Sequence, residues 1–337
     1  MRTRAIYGCA GTALSDAERS FFAEAQPWGF ILFGRNIADP EQTRRLADSL
    51  RATVNDSKAP VLIDQEGGRV ARLKPPHWKA HPAAARFGAL HAVAAEAAHE
   101  AAYLNARLIA HALCELGINV DCVPVLDVPV EGANDVIGDR ALSRDPAIVV
   151  ALGRSVIEGM IDGGVLPVMK HIPGHGRAMA DSHDSLPRVE TPREELSMTD
   201  FVTFRGLADC PMAMSAHVVY EDIDPKRPAT TSPLVVRDII RKEIGFEGLL
   251  MSDDLSMKAL QGSLAKRAKA AQFAGCDIVL HCNGSMNEMR DVASEAKLLE
   301  KIPLKRAEAA LAHLVAPQAF DVAAGEARLA ELMRTPS

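Results

Sequence analysis

Short apolar runs alternate along the chain with longer stretches in which apolar residues recur at i, i+3 and i+4. The runs fall at 4–9, 29–33, 60–64, 119–126, 166–171, 212–217, 248–252 and 277–282. Continuous apolar strands of this kind are buried on both faces, so they predict a parallel sheet covered by helices. The helical patterns lie near 15–26, 40–55, 89–116, 146–163, 232–243 and 263–274. Ser15, Asp39-Pro40 and Asp145-Pro146 read as helix starts, the prolines occupying the first helical position. Eight strands in this alternation predict an α/β fold, a single (β/α)8 TIM-type barrel. There is room for irregular first strands, and extra C-terminal helices are expected over 304–317 and 318–333. No Gly-x-Gly-x-x-Gly opens the first helix, which counts against a dinucleotide-binding fold.

The length of 337 residues fits two ordinary domains or one large barrel. No linker or change of composition divides the chain, so residues 1–337 are read as one barrel domain, with the alanine-rich stretch 83–112 as a long packed helix. With 48% apolar and 24% charged residues, disorder and collagen-like structure are excluded. A net charge of −6 and no Lys/Arg cluster argue against a nucleic-acid partner. No apolar run approaches the roughly 18 residues of a bilayer span, and the stretch from Met1 to Gly8 lacks the apolar core of a secretory signal. A cytoplasmic protein, expected to be a monomer, follows. Six scattered cysteines without a Cys-x-x-Cys pair read as reduced thiols. Aromatic residues are only 4%, so a compact polar pocket is expected in place of an aromatic sugar platform.

The barrel reading makes the polar residues informative, because chemistry on such a fold sits at the C-terminal ends of the strands. Those ends carry Asp64, Asp127, Lys170-His171, His217 and Asp253-Asp254. Singly, each could be a structural hydrogen-bonding residue; together they mark a site. The stretch 172–190 has neither helical nor strand period, and a long irregular loop in a compact domain is usually functional. His171, just before this stretch, and His175 within it are separated by Pro173 and Gly174, so they cannot share a helix face as a zinc-protease motif requires, and no metal is expected. Asp181-Ser182-His183 places a carboxylate two residues before an imidazole, where it can fix the tautomer.

Lys170-His171-x-Pro173-Gly174-His175-Gly176 followed by Asp181-Ser182-His183-x-x-Leu186-Pro187 resembles the signature of glycoside hydrolase family three, and more narrowly its bacterial cytoplasmic β-N-acetylglucosaminidases of cell-wall recycling. Ile63-Asp64-Gln65-Glu66-Gly67-Gly68-Arg69-Val70-x-Arg72 is similar to that family's sugar-binding segment. Gly138-Asp139-Arg140-Ala141-Leu142-Ser143 resembles a second binding motif, and Ser252-Asp253-Asp254-Leu255-Ser256-Met257 the nucleophile segment. The resemblance runs from about residue 5 to 315. Arg177 departs from it, standing where many members have an acidic residue. A second, sandwich-like domain of larger relatives has no room in this length.

The resemblance implies Asp253 as nucleophile, with His183 as acid/base and Asp181 as its partner. It implies substrate binding by Asp64, Arg72, Arg140, Lys170 and His171, with Asp254 as a support. An internal ion-pair network is the bland alternative for the binding residues, and His217 is expected behind the pocket. Two groups acting on one glycosidic bond are what glycoside cleavage needs. The expected activity is removal of terminal β-linked N-acetylglucosamine (GlcNAc) without a cofactor, from muropeptides in which it is joined to 1,6-anhydro-N-acetylmuramic acid (anhydroMurNAc). The rivals are a phosphorylase using the same pocket, a metal-dependent barrel hydrolase and a non-catalytic sugar-binding protein.

Overall fold

The eight apolar runs become eight parallel strands that close on themselves. The structure is a computed structural model and describes residues 1–132, 134–179, 182 and 186–334. In chain order the strands are β1 (Thr3–Gly8), β2 (Pro27–Leu32), β3 (Val61–Ile63), β4 (Val120–Asp121), β5 (Leu166–Ile172), β6 (Arg188–Val189), β7 (Met212–Ser215), β8 (Val219–Tyr220), β9 (Leu249–Asp254) and β10 (Ile278–His281). The barrel runs β1-β2-β3-β4-β5-β7-β9-β10 and back to β1, while β6 and β8 pair separately. The first strands are regular parallel members, with one register shift between Thr3 and Ile6.

Alternation along each strand sorts its side chains. Ile6, Leu62, Val168, Met212, Met251 and Ile278 fill the barrel interior, whereas Tyr7, Ile63, Met169, Ala213 and Val279 face the surrounding helices. Those helices are α1 (Asp16–Ala25), α2 (Pro40–Thr53), α3 (Ala85–His91), α4 (Ala95–Glu115), α5 (Pro146–Asp162), α6 (Arg193–Met198), α7 (Asp200–Arg205), α8 (Leu264–Ala274), α9 (Met286–Ala293), α10 (Lys301–Leu311) and α11 (Val322–Leu332), with a π-helical segment at Val235–Glu243. The starts expected from sequence are capped. Ser15 forms a capping box with Glu18, Asp39 accepts from Gln42 N, and Asp145 accepts from Ala147 N. Each such cap is worth about 1 kcal/mol.

Three boundaries differ from the sequence pattern. The run 119–126 yields a two-residue β4, because Pro124 has no N–H to donate to the ladder. The 89–116 pattern is two helices, α3 and α4, with different partners. In α3, Gly88 lies against the Leu142 carbonyl, where a Cβ would come within 1.8 Å. In α4, Ala106 and Ala110 pack against Gly159 and Gly163 at the C-terminal end of α5. At the C-terminus α10 stops at Leu311, ahead of Pro317, and α11 begins at Val322. Among the described residues, no helix is long and apolar enough to cross a membrane.

Candidate active site

Following the inward-facing alternation to the C-terminal strand ends and beyond places polar groups over the barrel. Leu62 is followed on the same face by Asp64 and Glu66, Val168 by Lys170, and Met251 by Asp253. All four polar residues line a cavity of about 170 Å³ at the C-terminal mouth, together with Arg72, Arg140, His171, His175, Ser182 and Asp254. Phe33, Val136, Ile137 and Met257 supply apolar wall. The Lys170–His171 peptide is cis.

One flank of the cavity is a network of charges. Lys170 Nζ, on a side chain only 2% exposed, donates to Asp64 Oδ1 at 2.8 Å and lies 2.6 Å from Glu66 Oε1. Arg72 Nη2 donates to Asp64 Oδ2 at 3.2 Å. Arg140 grips Glu66 with two parallel bonds, Nε to Oε2 and Nη2 to Oε1, both 2.8 Å. Burial opposes ionisation of Asp64 and Glu66, but the Lys170 cation, with Arg72 at Asp64 and Arg140 at Glu66, outweighs it. Both carboxyls are held below the usual carboxylate range. The same pairing outweighs burial at Lys170 and Arg140 and holds their pKa values above the ordinary ones.

This network is itself held from behind. Arg69 reaches Asp139 Oδ1 at 2.8 Å and the carbonyls of Asp135, Val136 and Ile137, fastening the turn that delivers Arg140. Gln65 Oε1 accepts from the backbone N–H groups of Arg72 and Leu73. Asp121 Oδ1 accepts from Gln65 N at 2.9 Å, while its buried Oδ2 has no partner among the described residues. Burial raises the Asp121 carboxyl to about 7.

The other flank is built on histidines and the β9 end. Asp127, fully buried, accepts from His171 Nδ1 at 2.6 Å and from the backbone N–H groups of His171 and His175 at 3.2 and 2.7 Å. With Nδ1 so engaged, Nε2 is the His171 nitrogen left to serve the cavity. Burial, reinforced by the neighbouring His171, lowers His175 to about 4. Asp253 Oδ1 accepts from Asp254 N at 2.8 Å. Asp254 binds Ser256 N, Ser256 Oγ and Cys282 N, joining the turn after β9 to the end of β10. His217 stands behind this turn. Its Nε2 donates to the Asp254 carbonyl at 3.0 Å and its Nδ1 lies 2.8 Å from Thr230 Oγ1.

The structure thus brings together Asp64, Arg72, Arg140, Lys170, His171 and Asp253, and gives Asp254 the supporting bonds expected of it. Asp181 and His183 lie outside the described residues. Arg177, the departure from the family pattern, bonds Asp200 at 2.6 Å, Glu195 at 2.8 Å and Thr199 at 3.0 Å, anchoring the start of the loop to α6 and α7. Sequence reasoning gave no role to Glu66, although it stands two residues after Asp64 on the same face. Asp127 stands out in the sequence as a strand end, but its histidine partners appear only in the structure. Among the described residues, no three His, Cys, Asp or Glu side chains gather in a way that could hold a metal ion.

The model of the Glycosyl hydrolase family 3 N terminal domain matches residues 7–316. A relative named Beta-hexosaminidase from Alkalilimnicola ehrlichii is 42% identical over 284 residues, covering 82% of this chain and 80% of its own length. The solved structure of native NagZ from Neisseria gonorrhoeae aligns with a TM-score of 0.82 at 31% identity over 98% of both chains. That of a family 3 beta-N-acetylglucosaminidase from a Paenibacillus species aligns with a TM-score of 0.82 at 28% identity. It covers 99% of this chain, which spans 62% of that longer protein.

Proposed function

This chain belongs to glycoside hydrolase family 3 and is a glycoside hydrolase, and on that premise we propose that it is a retaining exo-β-N-acetylglucosaminidase acting through a covalent intermediate on Asp253. The observation that carries the reading is the position of Asp253. It follows Leu249 and Met251 on the inner face of β9 and enters a cavity whose opposite flank is a preformed cluster of hydrogen-bonding charges. The names of the relatives supply the sugar class. A cavity of about 170 Å³ is smaller than the ~300 Å³ at which pockets for drug-sized ligands begin, which suits one terminal sugar ring and exo action.

In this reading Asp64, Arg72, Arg140, Lys170 and His171 bind the ring hydroxyls. The Asp253 carboxylate attacks the anomeric carbon while His183, oriented by Asp181, protonates the departing oxygen. His183 then takes a proton from the water that releases the sugar. A histidine suits both halves because its ordinary pKa, ~6.5, lies near working pH. Ser182, which stands between Asp181 and His183 in the chain, lines the cavity, and that supports the assignment. The substrate we assign is the GlcNAc–anhydroMurNAc unit of recycled muropeptides, handled in the cytoplasm by residues 1–337 acting as one monomeric barrel.

The test is turnover of aryl β-GlcNAc against aryl β-glucoside, with the first-formed anomer followed by NMR. Preference for the GlcNAc substrate with the β-anomer released first supports the proposal. The α-anomer appearing first would overturn it, and a sugar 1-phosphate formed only with added phosphate would move the reading to phosphorolysis.

A further inference from the structure

We propose that Ser182 is a positioning residue, which ties the loop after β5 to the loop after β9 and so holds the proton-transfer segment in register with the Asp253 segment. The proposal rests on the acid/base reading above and goes beyond it, naming what fixes that segment.

Ser182 is only 3% exposed although it lies in a stretch without helical or strand period. Its hydroxyl stands 3.4 Å from His175 Nε2, and its carbonyl accepts from Ala259 N at 3.2 Å. Ala259 comes six residues after Asp253 in the same turn region. His175 is itself anchored, its backbone N–H held by the Asp127 carboxylate that also holds the His171 ring. A continuous line of contacts therefore runs from Asp127, in the segment after β4, through the β5 loop to the segment beyond β9, and Ser182 is its last link. In the chain Ser182 stands between Asp181 and His183, the two residues to which proton transfer is assigned above.

The chemistry of the link suits this task. A neutral imidazole offers one donor and one acceptor nitrogen, and a hydroxyl can meet either. Burial keeps His175 neutral at working pH, and its Nδ1 has no partner among the described residues. The contact therefore holds the segment without adding a charge beside a histidine that must gain and lose one. A lysine or carboxylate in its place would bias that protonation in one direction.

The experiment measures single-turnover glycosylation of Ser182→Ala, Ser182→Thr, His175→Gln and the Ser182→Ala/His175→Gln pair. The probes are GlcNAc glycosides with a dinitrophenyl or a poor alkyl leaving group. Losing one neutral hydrogen bond predicts a loss of roughly 2- to 13-fold on the alkyl glycoside, with little change on the dinitrophenyl glycoside and an unchanged KM. Ser182→Thr keeps the hydroxyl and should recover the loss. The double variant should lose no more than the worse single one, because both remove the same contact. Equal losses on both substrates, no loss at all, or strictly additive losses would overturn the inference. If His175→Gln does not fold, the Ala and Thr variants of Ser182 decide it alone. Should His183→Ala show leaving-group dependence while Ser182→Ala shows none, only this inference fails. Absence of the dependence in His183→Ala would sink the acid/base reading first.

Discussion

The two flanks of the cavity are built on opposite electrostatic principles. On the flank from β3, β5 and the 138–140 turn, Asp64, Glu66, Lys170 and Arg140 neutralise one another at 2.6–2.8 Å, and every one of them is pushed further into its charged form. On the other flank, burial drives His175 and His217 towards their neutral forms. Hydrogen bonds to Asp127 and to the Asp254 carbonyl set which nitrogen of His171 and His217 faces where. A group that recognises sugar hydroxyls serves best when its charge never changes. A group placed beside the reacting atoms without reacting itself serves best when it stays neutral, so that it does not bias a neighbour whose charge must change. In the proposed mechanism the charged flank, joined by His171, recognises the sugar, and the Asp253 side carries the reaction.

Substitutions on the two flanks should therefore differ in kind as well as in size. The largest effect is expected from Asp253→Asn, a loss of kcat on the order of 10⁴-fold with sugar affinity nearly unchanged, since a nucleophile acts in the transition state. Calorimetric titration beside steady-state kinetics checks both halves, and a parallel loss of affinity would erase the division between flanks.

His183→Ala follows, with a loss of ~10²–10⁴-fold on a disaccharide. The loss on dinitrophenyl glycosides should be much smaller, and a burst of phenol release should appear as hydrolysis of the intermediate becomes limiting. A stopped-flow trace without that burst counts against the proton-transfer role.

On the charged flank, Asp64→Ala and Arg140→Ala should raise KM and lower kcat/KM by about 10- to 150-fold, the worth of one charge-assisted hydrogen bond of roughly 1.5–3 kcal/mol. Leaving Glu66 buried without its bidentate partner should also lower the melting temperature of the Arg140 variant. A variant that unfolds yet binds sugar normally when stabilised would make these charges structural only.

The smallest effect concerns Asp121. Its carboxyl is raised to about 7 by burial from an ordinary value of ~3.9, so across that window the folded chain keeps a proton that the unfolded chain has lost. Unfolding free energy falls as pH rises through the window and levels off above it. Asp121→Asn removes this term and should gain a few degrees relative to the wild type at pH 8, but not at pH 4. Equal differences at both pH values would show that Asp121 is ionised throughout.

The barrel and the strand-end part of the candidate site were legible in the sequence because they depend on two short-range regularities, whereas Arg72 and Arg140 were pointed to by the family resemblance alone. Period-two alternation sorts each strand, and residues at or just past the C-terminal strand ends keep the inward face, as Asp64, Lys170 and Asp253 do. Glu66 obeys the same rule and could have been found by counting two residues on from Asp64. Asp127 could not be paired with His171 and His175 from spacing alone, since sequence separations of 44 and 48 close only when β4 and β5 lie side by side. The break between α3 and α4 was hidden for a similar reason. Alanine-rich sequence favours helix throughout, and the packing partners differ only in three dimensions, Gly88 of α3 meeting Leu142 while Ala106 and Ala110 of α4 meet α5. Arg177 differs from the family pattern in charge, and its anchoring to Asp200 and Glu195 appears only in three dimensions.

The central claim is that Asp253, on the reactive flank, forms the bond to sugar. Trapping the enzyme with a fluorinated GlcNAc donor and mapping the labelled peptide by mass spectrometry tests it most directly. The expected product is one sugar per chain, esterified to Asp253 and absent from Asp254. An unlabelled enzyme that instead releases an oxazoline, or a label on any other carboxylate, would contradict it.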